Sequence, residues 1–205
     1  GYIPIYLIEN KISKKVIAAD ISKNSLDKTI EYVKKTGYEK YIDIRLGDGL
    51  DIIKSFEIDT VVIAGMGGLL IRDILDKNKE KRDSITNFIL QPNIATKELR
   101  EYLYRNNFEI IDEKLVKEDN KFYEIIYAKK GKAHITKDIY YEIGEKLIIN
   151  KDPLLKEFIN NKININEKIL VELEDKKTHK SEERYKELIE KIQELKAVLK
   201  EIEGN

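Results

Sequence analysis

Cysteine is absent from this 205-residue chain, and histidine occurs only as His134 and His179. Without cysteine, a disulfide framework, a thiolate metal site and a cysteine nucleophile are all excluded. Two histidines are too few for a multi-histidine centre, so we predict no metal. The longest apolar runs, such as residues 60–64, are too short to cross a bilayer, and no signal-peptide pattern opens the chain. These features predict a cytoplasmic protein without a membrane partner.

The chain also has no excess of charge of either sign, since 38 Lys and Arg balance 38 Asp and Glu and the formal net charge is zero. This balance argues against the broad basic field of a protein that coats nucleic acid. Local basic clusters remain, notably at 77–82 and 176–180, where we expect loops. In a lysine-rich chain most such clusters are solvated surface, so contact with phosphate is the less common alternative.

Short β-branched runs alternate with helical stretches over the first part of the chain. The predicted strands are 16–19, 42–46, 60–64 and 87–90, and the predicted helices between and after them include 25–36 and 97–106. This alternation is typical of βαβ units around a parallel sheet. Runs at 108–111, 114–116 and 122–128 flank a turn-like segment at 118–121 and predict a closing β-hairpin instead of another crossover. We therefore predict an α/β fold whose parallel sheet ends in an antiparallel hairpin.

Beyond residue 136 the pattern becomes helical. We predict one helix over 139–149, a second with Pro153 in its first turn that runs toward residue 177, and a third capped by Ser181. On the third helix, apolar residues recur in alternating steps of three and four, which is a heptad seam: Tyr185, Leu188, Ile192, Leu195, Leu199 and Ile202. A poorer stripe on the second helix, broken by Asn166, predicts an antiparallel coiled-coil hairpin. The predicted domains are 1–132 and 133–205.

The front of the chain begins without methionine, and residues 1–8 have the pattern of a buried helix. An α/β unit of this kind needs a strand and a tight glycine turn before that helix. We therefore expect the first strand of the sheet to lie upstream of Gly1 in the natural protein.

Two acidic residues stand where successive predicted strands end. In doubly wound folds an acid in the position of Asp20 accepts hydrogen bonds from both ribose hydroxyls of a bound nucleotide. Asp48 can accept from an exocyclic amine, and Gly47 and Gly49 allow the backbone to approach a flat ligand. An adenosine moiety across the strand tips would meet both acids. The alternative is that Asp20 and Asp48 merely cap the helices that follow.

A second glycine-rich segment, residues 64–68, follows the strand at 60–64 and is the expected place of group transfer. Its glycines permit positive φ and close approach to a substrate. A phosphate cradle is the rival interpretation, but no Lys-Ser/Thr pair follows, which disfavours a P-loop. Met66 can equally fill the core. Asn93 can offer a donor and an acceptor to a base edge, or can cap helix 97–106.

These motifs together resemble the bacterial tRNA (adenine-22-N1)-methyltransferase family of the TrmK type. The resemblance rests on the segments at 1–7, 45–50, 62–68, 71–72, 90–93 and 121–125, and it is close over residues 1–130. The Ala-Gly-Met-Gly-Gly stretch is its most specific element. It implies a Rossmann-like class I methyltransferase domain that uses S-adenosylmethionine to methylate N1 of an adenine in tRNA.

The resemblance also implies roles for individual residues. Gly1 is then the last glycine of the cofactor motif, Asp20 binds the ribose, and Asp48 binds the adenine of S-adenosylmethionine. The full set of expected cofactor contacts is Gly1, Tyr2, Asp20, Ile21, Gly47, Asp48, Gly49, Ala64 and Gly65. The expected catalytic set is Gly65, Met66, Gly67 and Asn93, since attack by adenine N1 needs alignment more than a general base.

The basic link between the last two helices predicts a contact with RNA. Antiparallel pairing places Lys176, Lys177 and Lys180 at the tip of the helical hairpin, where they can meet phosphates without reading bases. A solvated turn that only closes the coiled coil is nearly as good an interpretation. Two other functions stay open: a methyltransferase acting on a small molecule or protein, and a non-catalytic coiled-coil protein with a vestigial α/β domain. An oligomer is possible but not required.

Overall fold

A computed structural model describes residues 1–174 and 178–204 as two compact units. The first unit is Gly1–Asp59 with Ile74–Ile85, and the second is Thr60–Asp73 with Thr86–Asn205. The elements in chain order are α1 (Tyr2–Glu9), β1 (Val16–Asp20), α2 (Lys23–Thr36), β2 (Ile42–Leu46), a 3₁₀ turn (Gly49–Ile52), β3 (Thr60–Met66), α3 (Gly68–Lys77), α4 (Lys79–Asp83), β4 (Asn87–Pro92), α5 (Thr96–Arg105), β5 (Phe108–Glu118), β6 (Lys121–Lys130), α6 (Ile139–Ile143), α7 (Glu145–Ile149), α8 (Leu155–Glu174) and α9 (His179–Glu203). The predicted boundary between residues 132 and 133 lies inside the second unit and remains a prediction.

The first unit is built around one parallel strand pair. β1 and β2 pair from Val16↔Ile42 to Asp20↔Leu46, as their β-branched sequences predicted. A small apolar cluster joins the strands to α1 and α2, and its buried members are Ile5, Ile8, Ala18, Val33 and Ile42. α2 starts where the Ser22 hydroxyl accepts from the Ser25 amide at 3.4 Å, and it ends at Gly37 in the left-handed conformation. The turn chemistry at both ends therefore sets the length of the helix.

The second unit contains a four-stranded sheet in the order β3-β4-β6-β5. β3 and β4 are parallel, whereas β6 is antiparallel to both β4 and β5. The predicted hairpin is confirmed: Glu118 pairs with Lys121, so Asp119 and Asn120 form a two-residue turn, with Asp119 at φ 52°. The centre of one face is apolar, with Phe88, Leu90, Phe108, Ile126 and Ala128 shielded from water. This mixed sheet is the α/β architecture that the sequence predicted.

A buried charge cluster joins α5 to the hairpin. The Arg100 guanidinium donates from Nε to Glu113 at 2.7 Å and from Nη2 to Glu124 at 2.6 Å, and it also donates to the Tyr141 carbonyl at 3.0 Å. Only 1% of the Arg100 side chain and 2% of the Glu113 side chain is exposed. Buried ion pairs are stable only when their remaining hydrogen-bonding atoms are also satisfied. Here the Glu113 carboxylate additionally accepts from the Lys146 amide at 3.1 Å, which ties α7 to the same cluster.

This cluster explains why the prediction of one helix over 139–149 is wrong. The structure has two helices, α6 and α7, separated by Gly144 at φ 81°. A Cβ on Gly144 would lie 2.7 Å from a Glu113 oxygen and 2.9 Å from Arg100 Nη2. The chain therefore needs glycine there, both for its backbone conformation and for the room that the charges take up.

α8 and α9 form the predicted antiparallel pair. Lys196 at 2.9 Å from Glu167, and Lys156 in contact with Glu203, show that the start of α8 lies beside the end of α9. The seam buries apolar side chains of both helices, namely Ile159, Ile163, Leu170, Leu188, Ile192, Leu195 and Val198. Asn166 is buried in the seam as well, a position at which a polar residue favours one register over others. Among the described residues, no helix combines the length and the apolar run that a membrane crossing needs.

Two helix starts differ from the prediction. Pro153 precedes α8, which begins at Leu155, because the Asp152 carboxylate accepts from the amides of Leu154 and Leu115 and holds the chain in a turn. The cap of α9 is Thr178, not Ser181. The Thr178 hydroxyl accepts from the Ser181 amide at 3.2 Å while the Ser181 hydroxyl accepts from the Thr178 amide at 3.0 Å, which is a reciprocal capping box.

Glu142 on α6 ties three helices together. Its carboxylate lies 2.8 Å from Lys162 on α8 and 2.7 Å from Lys191 on α9, and 13% of its side chain is exposed. Burial alone would raise the pKa of the Glu142 carboxyl, but the two lysines lower that pKa to about 2. The ionised form is therefore the one that the fold stabilises.

We predict that this group makes the protein sensitive to acid. The folded pKa lies below the ordinary value of 4.5, so the stabilisation is present above that pH and is lost as the pH falls toward about 2. Glu142→Gln should lower the free energy of unfolding near neutral pH by roughly 2–4 kcal/mol and should flatten its dependence on pH. Urea titrations at several pH values measure both effects. Glu167→Gln, which removes a half-exposed carboxylate, should change little; equal losses in the two variants would contradict the prediction.

Candidate functional site

The carboxyl ends of β1 and β2 meet at Asp20. The Gly47 amide donates to the Asp20 carbonyl at 3.0 Å, which continues the strand pairing by one residue. The Asp20 carboxylate accepts from the Ser22 amide at 2.8 Å, whereas the helix cap itself is Ser22. The alternative that Asp20 caps α2 is therefore wrong. Within residues 1–174 and 178–204, the second carboxylate oxygen has no hydrogen-bond partner.

Asp48 occupies the N-cap position of the 3₁₀ turn, but its side chain makes no cap hydrogen bond. Its carboxylate accepts instead from Lys77 Nζ at 2.8 Å, and the same ammonium donates to Asp51 at 2.7 Å. The hydrogen bonds that Lys77 donates to the Asp48 and Asp51 carboxylates raise the pKa of Lys77 and keep it charged. Hydrogen bonds from Lys77 and Asn78 lower the pKa of Asp51. The Asp48 side chain stays half-exposed, so it is oriented but accessible.

The basic cluster at 77–82 is not the loop that we expected. It comprises the end of α3 and most of α4, and two of its lysines make defined contacts. Besides Lys77, Lys81 donates to the carbonyls of Leu50 and Asp51 at 3.2 and 2.8 Å. The contact between Lys77 and the strand-tip acid Asp48 was not predicted, since nothing in the sequence spacing relates two residues that are 29 positions apart.

Packing accounts for two of the glycines near these acids. A Cβ on Gly47 would lie 2.2 Å from Ile52 Cγ2, and one on Gly49, at φ 50°, would lie 2.8 Å from Ile74 Cγ2. Both positions therefore exclude larger residues whether or not a ligand approaches.

The remaining expected cofactor contacts of the first unit lie in two places. Ile21 directly follows Asp20, and 71% of it is exposed. Gly1 and Tyr2 lie against α2: a Cβ on Gly1 would be 3.3 Å from the Tyr32 ring, and the Tyr2 and Tyr32 ring centroids are 5.0 Å apart. The structure thus brings Asp20, Ile21, Gly47 and Asp48 together at the strand tips, and gives Gly1 and Tyr2 neighbours on α2.

In the second unit, the end of β3 forms an irregular glycine loop. The pairing register shifts between Ala64 and Met66, and Gly65 adopts φ 77°. A Cβ on Gly65 would meet nothing within 4 Å, whereas one on Gly68 would lie 2.2 Å from the Ala95 carbonyl oxygen. Gly65 therefore faces open space, and Gly68 allows close packing against the start of α5. Met66 is 38% exposed, so the alternative that it fills the core is wrong.

Asn93 directly follows β4 and lies beside this loop, and it does not cap α5, whose N-cap residue is Ala95. Its side-chain amide donates to the Gly65 carbonyl at 2.8 Å, and its backbone amide donates to the Met66 carbonyl at 2.7 Å. Gly67 is close by, since a Cβ there would lie 3.5 Å from Ile94. The structure therefore brings together all four expected catalytic residues. Gln91, which was not assigned a role, also binds the loop through the Gly65 amide at 2.9 Å.

The lysines expected to contact RNA are only partly covered by the structure. Lys180 is exposed in the first turn of α9, while Lys176 and Lys177 lie outside the described residues. Over the part of the chain that is described, no group of three or more His, Asp or Glu side chains could hold a metal ion.

Comparison with known proteins identifies relatives over nearly the whole chain. The sequence model of the family described as "tRNA (adenine(22)-N(1))-methyltransferase", TrmK, matches residues 1–196. The Bacillus subtilis (strain 168) protein of that description is 40% identical over 131 residues, which are 64% of this chain. That match spans 55% of the length of the B. subtilis relative.

Solved structures agree with the sequence comparison. The B. subtilis m1A22 tRNA methyltransferase TrmK superposes with a TM-score of 0.84 at 31% identity, covering 97% of this chain and 87% of that one. M. capricolum TrmK, solved in complex with S-adenosyl-homocysteine, gives a TM-score of 0.81 at 30% identity, covering 98% and 87%.

Proposed function

This chain belongs to the TrmK family of tRNA (adenine(22)-N(1))-methyltransferases, and we propose that it methylates N1 of adenine 22 in tRNA with S-adenosylmethionine as the donor. The observation that carries the proposal is the family match over residues 1–196, which includes both acids at the strand tips, the glycine loop and most of the helical arm. Since tRNA is the substrate, we place the activity in the cytoplasm.

The side chains at the tips of β1 and β2 fit the nucleoside part of the donor. Asp20 keeps one carboxylate oxygen for ribose hydroxyls while the Ser22 amide holds the other. Asp48, oriented by Lys77, can accept from the exocyclic amine of adenine, and the exposed Ile21 offers an apolar surface to the flat ring. When bound, S-adenosylmethionine supplies an electrophilic methyl group on its sulfonium. The role of Gly1 and Tyr2 in this binding remains a prediction.

The loop formed by Ala64, Gly65, Met66 and Gly67 is proposed to border the target base, with Asn93 holding the loop in shape. Adenine N1 carries an unprotonated lone pair at neutral pH, so no side chain has to remove a proton before attack. Alignment of the base can then supply much of the rate enhancement. Because N1 lies on the Watson–Crick edge, the base must leave its stack or pair first. An open, side-chain-free backbone at Gly65 suits the approach of a planar base.

The direct test of this function is methyl transfer in the full-length protein. We expect label from S-adenosylmethionine to enter tRNA as 1-methyladenosine, identified after digestion to nucleosides. Asp20→Ala should weaken binding of S-adenosylhomocysteine by about 1.5–3 kcal/mol, or about tenfold to a hundredfold in Kd, because it removes a charged acceptor. Calorimetry measures this loss, and Asp27→Ala, an exposed acid on α2, is the control.

Label in a protein or small molecule and not in tRNA would contradict the proposed substrate. Equal affinities of the Asp20→Ala and Asp27→Ala variants would contradict the proposed role of Asp20.

We further propose that the helical arm binds tRNA without taking part in the chemistry. Lys180 is exposed at the start of α9 and follows Lys177 by three positions in the sequence. Each phosphate neutralised should contribute a little under one to the slope of log affinity against log salt concentration. Replacement of all three lysines by Ala should therefore weaken tRNA binding and flatten its salt dependence, while affinity for the cofactor stays unchanged.

Filter binding at several salt concentrations measures the slope. The control replaces Lys168, Lys186 and Lys200, which are exposed on α8 and α9, and so removes the same amount of charge from other positions of the arm. If the variant without Lys176, Lys177 and Lys180 binds tRNA with the affinity and the salt dependence of the parent, these lysines do not contact the RNA and the proposal is contradicted.

A further inference from the structure

The side chain of Gln91, near the end of β4, makes three hydrogen bonds around the glycine loop. Its Oε1 accepts from the Gly65 amide at 2.9 Å. Its Nε2 donates to Asn93 Oδ1 at 3.1 Å and to the Pro92 carbonyl at 3.0 Å. Gln91 thus contacts both the loop and the other side chain that binds the loop.

Asn93 completes a closed circuit with Gln91 and Gly65. Its Nδ2 donates to the Gly65 carbonyl at 2.8 Å, so both the N–H and the C=O of Gly65 are held by side-chain amides. The orientation of both amides follows from their partners. A backbone N–H can only donate and a carbonyl can only accept, so Gln91 must present Oε1 and Asn93 must present Nδ2. The remaining atoms, Nε2 and Oδ1, then face each other as donor and acceptor.

Gly65 contributes little to fixing its own conformation, although the pairing of Ala64 and Met66 with β4 holds the chain on either side of it. It has no side chain to pack, it adopts φ 77°, and a Cβ at this position would meet open space. Glycine crosses between backbone conformations more easily than any other residue. The two amides therefore supply the rigidity that the residue itself lacks, at the point where the loop faces open space.

We propose that Gln91 is a positioning residue for methyl transfer, which acts by holding the Gly65 peptide and the Asn93 amide in one arrangement. The inference rests on the proposed function, since the loop that contains Gly65 is proposed there to border the target base and Asn93 to hold that loop in shape. Gln91 is partly exposed and Asn93 is exposed, so the circuit lies near the surface. Its loss should therefore leave folding nearly intact and should act on the alignment of reacting groups, to which rates are far more sensitive.

The test compares two substitutions in the full-length protein. Gln91→Met keeps the length of the side chain but removes every hydrogen bond, and kcat should fall roughly tenfold to a hundredfold. KM for tRNA and for S-adenosylmethionine should change by less than about threefold, because the side chain is proposed to align and not to bind. Gln91→Glu keeps an acceptor for the Gly65 amide but sets an oxygen against Asn93 Oδ1, so its kcat should be as low.

The matched control is Asn87→Leu on the same strand. Asn87 also links neighbouring strands, since it donates to Thr60 at 3.2 Å and accepts from Tyr127 at 2.9 Å, but it lies at the opposite end of β4. Its replacement should cost a similar amount in thermal stability while kcat stays within about threefold of the parent. Equal losses of kcat in the Gln91→Met and Asn87→Leu variants would show a purely structural role and overturn the proposal, as would a parent-like kcat for Gln91→Glu.

Amide hydrogen exchange of Gly65 provides a readout that does not depend on the substrate. Exchange should accelerate in the Gln91→Met variant and stay close to the parent rate in the Gln91→Glu variant, while Ile126 in the core remains protected in both. If the parent transfers no methyl group to tRNA, the proposed function fails, and this exchange pattern alone decides whether Gln91 holds the loop. Unchanged exchange at Gly65 in the Gln91→Met variant would overturn the proposal.

Discussion

A guanidinium shielded from water determines much of the arrangement of the second unit. Arg100 is held by Glu113 on β5 and Glu124 on β6, so the position of α5 on the hairpin is tied to one charge cluster. Loss of one partner from such a cluster costs about 3–5 kcal/mol, because the other charge is left buried without compensation. The first residue of α5 follows Ala95, and the Ala95 carbonyl lies where a side chain on Gly68 would be. The glycine loop is therefore positioned through α5 by a charge cluster that takes no part in the proposed chemistry.

The sequence predicted the fold correctly wherever a periodic pattern is compatible with only one kind of secondary structure. The β-branched runs became β1 to β4, and the turn-like segment at 118–121 became a tight hairpin. Of the predicted heptad, Leu188, Ile192 and Leu195 are buried in the seam, while Tyr185, Leu199 and Ile202 pack against it only partly buried and Val198 is buried instead. The sequence pattern gave wrong predictions where the conformation of a residue depends on a contact with a residue distant in sequence. Gly144 breaks a helix because Glu113, thirty-one positions earlier, occupies the space beside it. Thr178 and Ser181 both have hydroxyls that can cap, and only the geometry shows which one does so.

For the candidate site, the same distinction holds. Asp20, Asp48 and Asn93 were each open to interpretation as helix caps, and the structure assigns their side chains to other contacts. The contacts of Lys77 with Asp48 and of Gln91 with Gly65 were not predicted because these partners are distant in sequence. Two amide residues at a strand end, beside a glycine loop, are nevertheless a usable signal. The balance of positive and negative residues is seen in the structure as ion pairs within each unit. Four lysines pair with carboxylates of their own unit: Lys77, Lys162, Lys191 and Lys196.

The central claim is that the acids at the tips of β1 and β2 bind the nucleoside of the methyl donor. A crystal structure of the full-length protein with S-adenosylhomocysteine tests it most directly. The account predicts an Asp20 carboxylate oxygen within about 3.2 Å of the ribose hydroxyls and the Asp48 carboxylate within the same distance of the adenine amine. Ribose hydroxyls bound by other groups, with the Asp20 carboxylate contacting only the Ser22 amide, would contradict it.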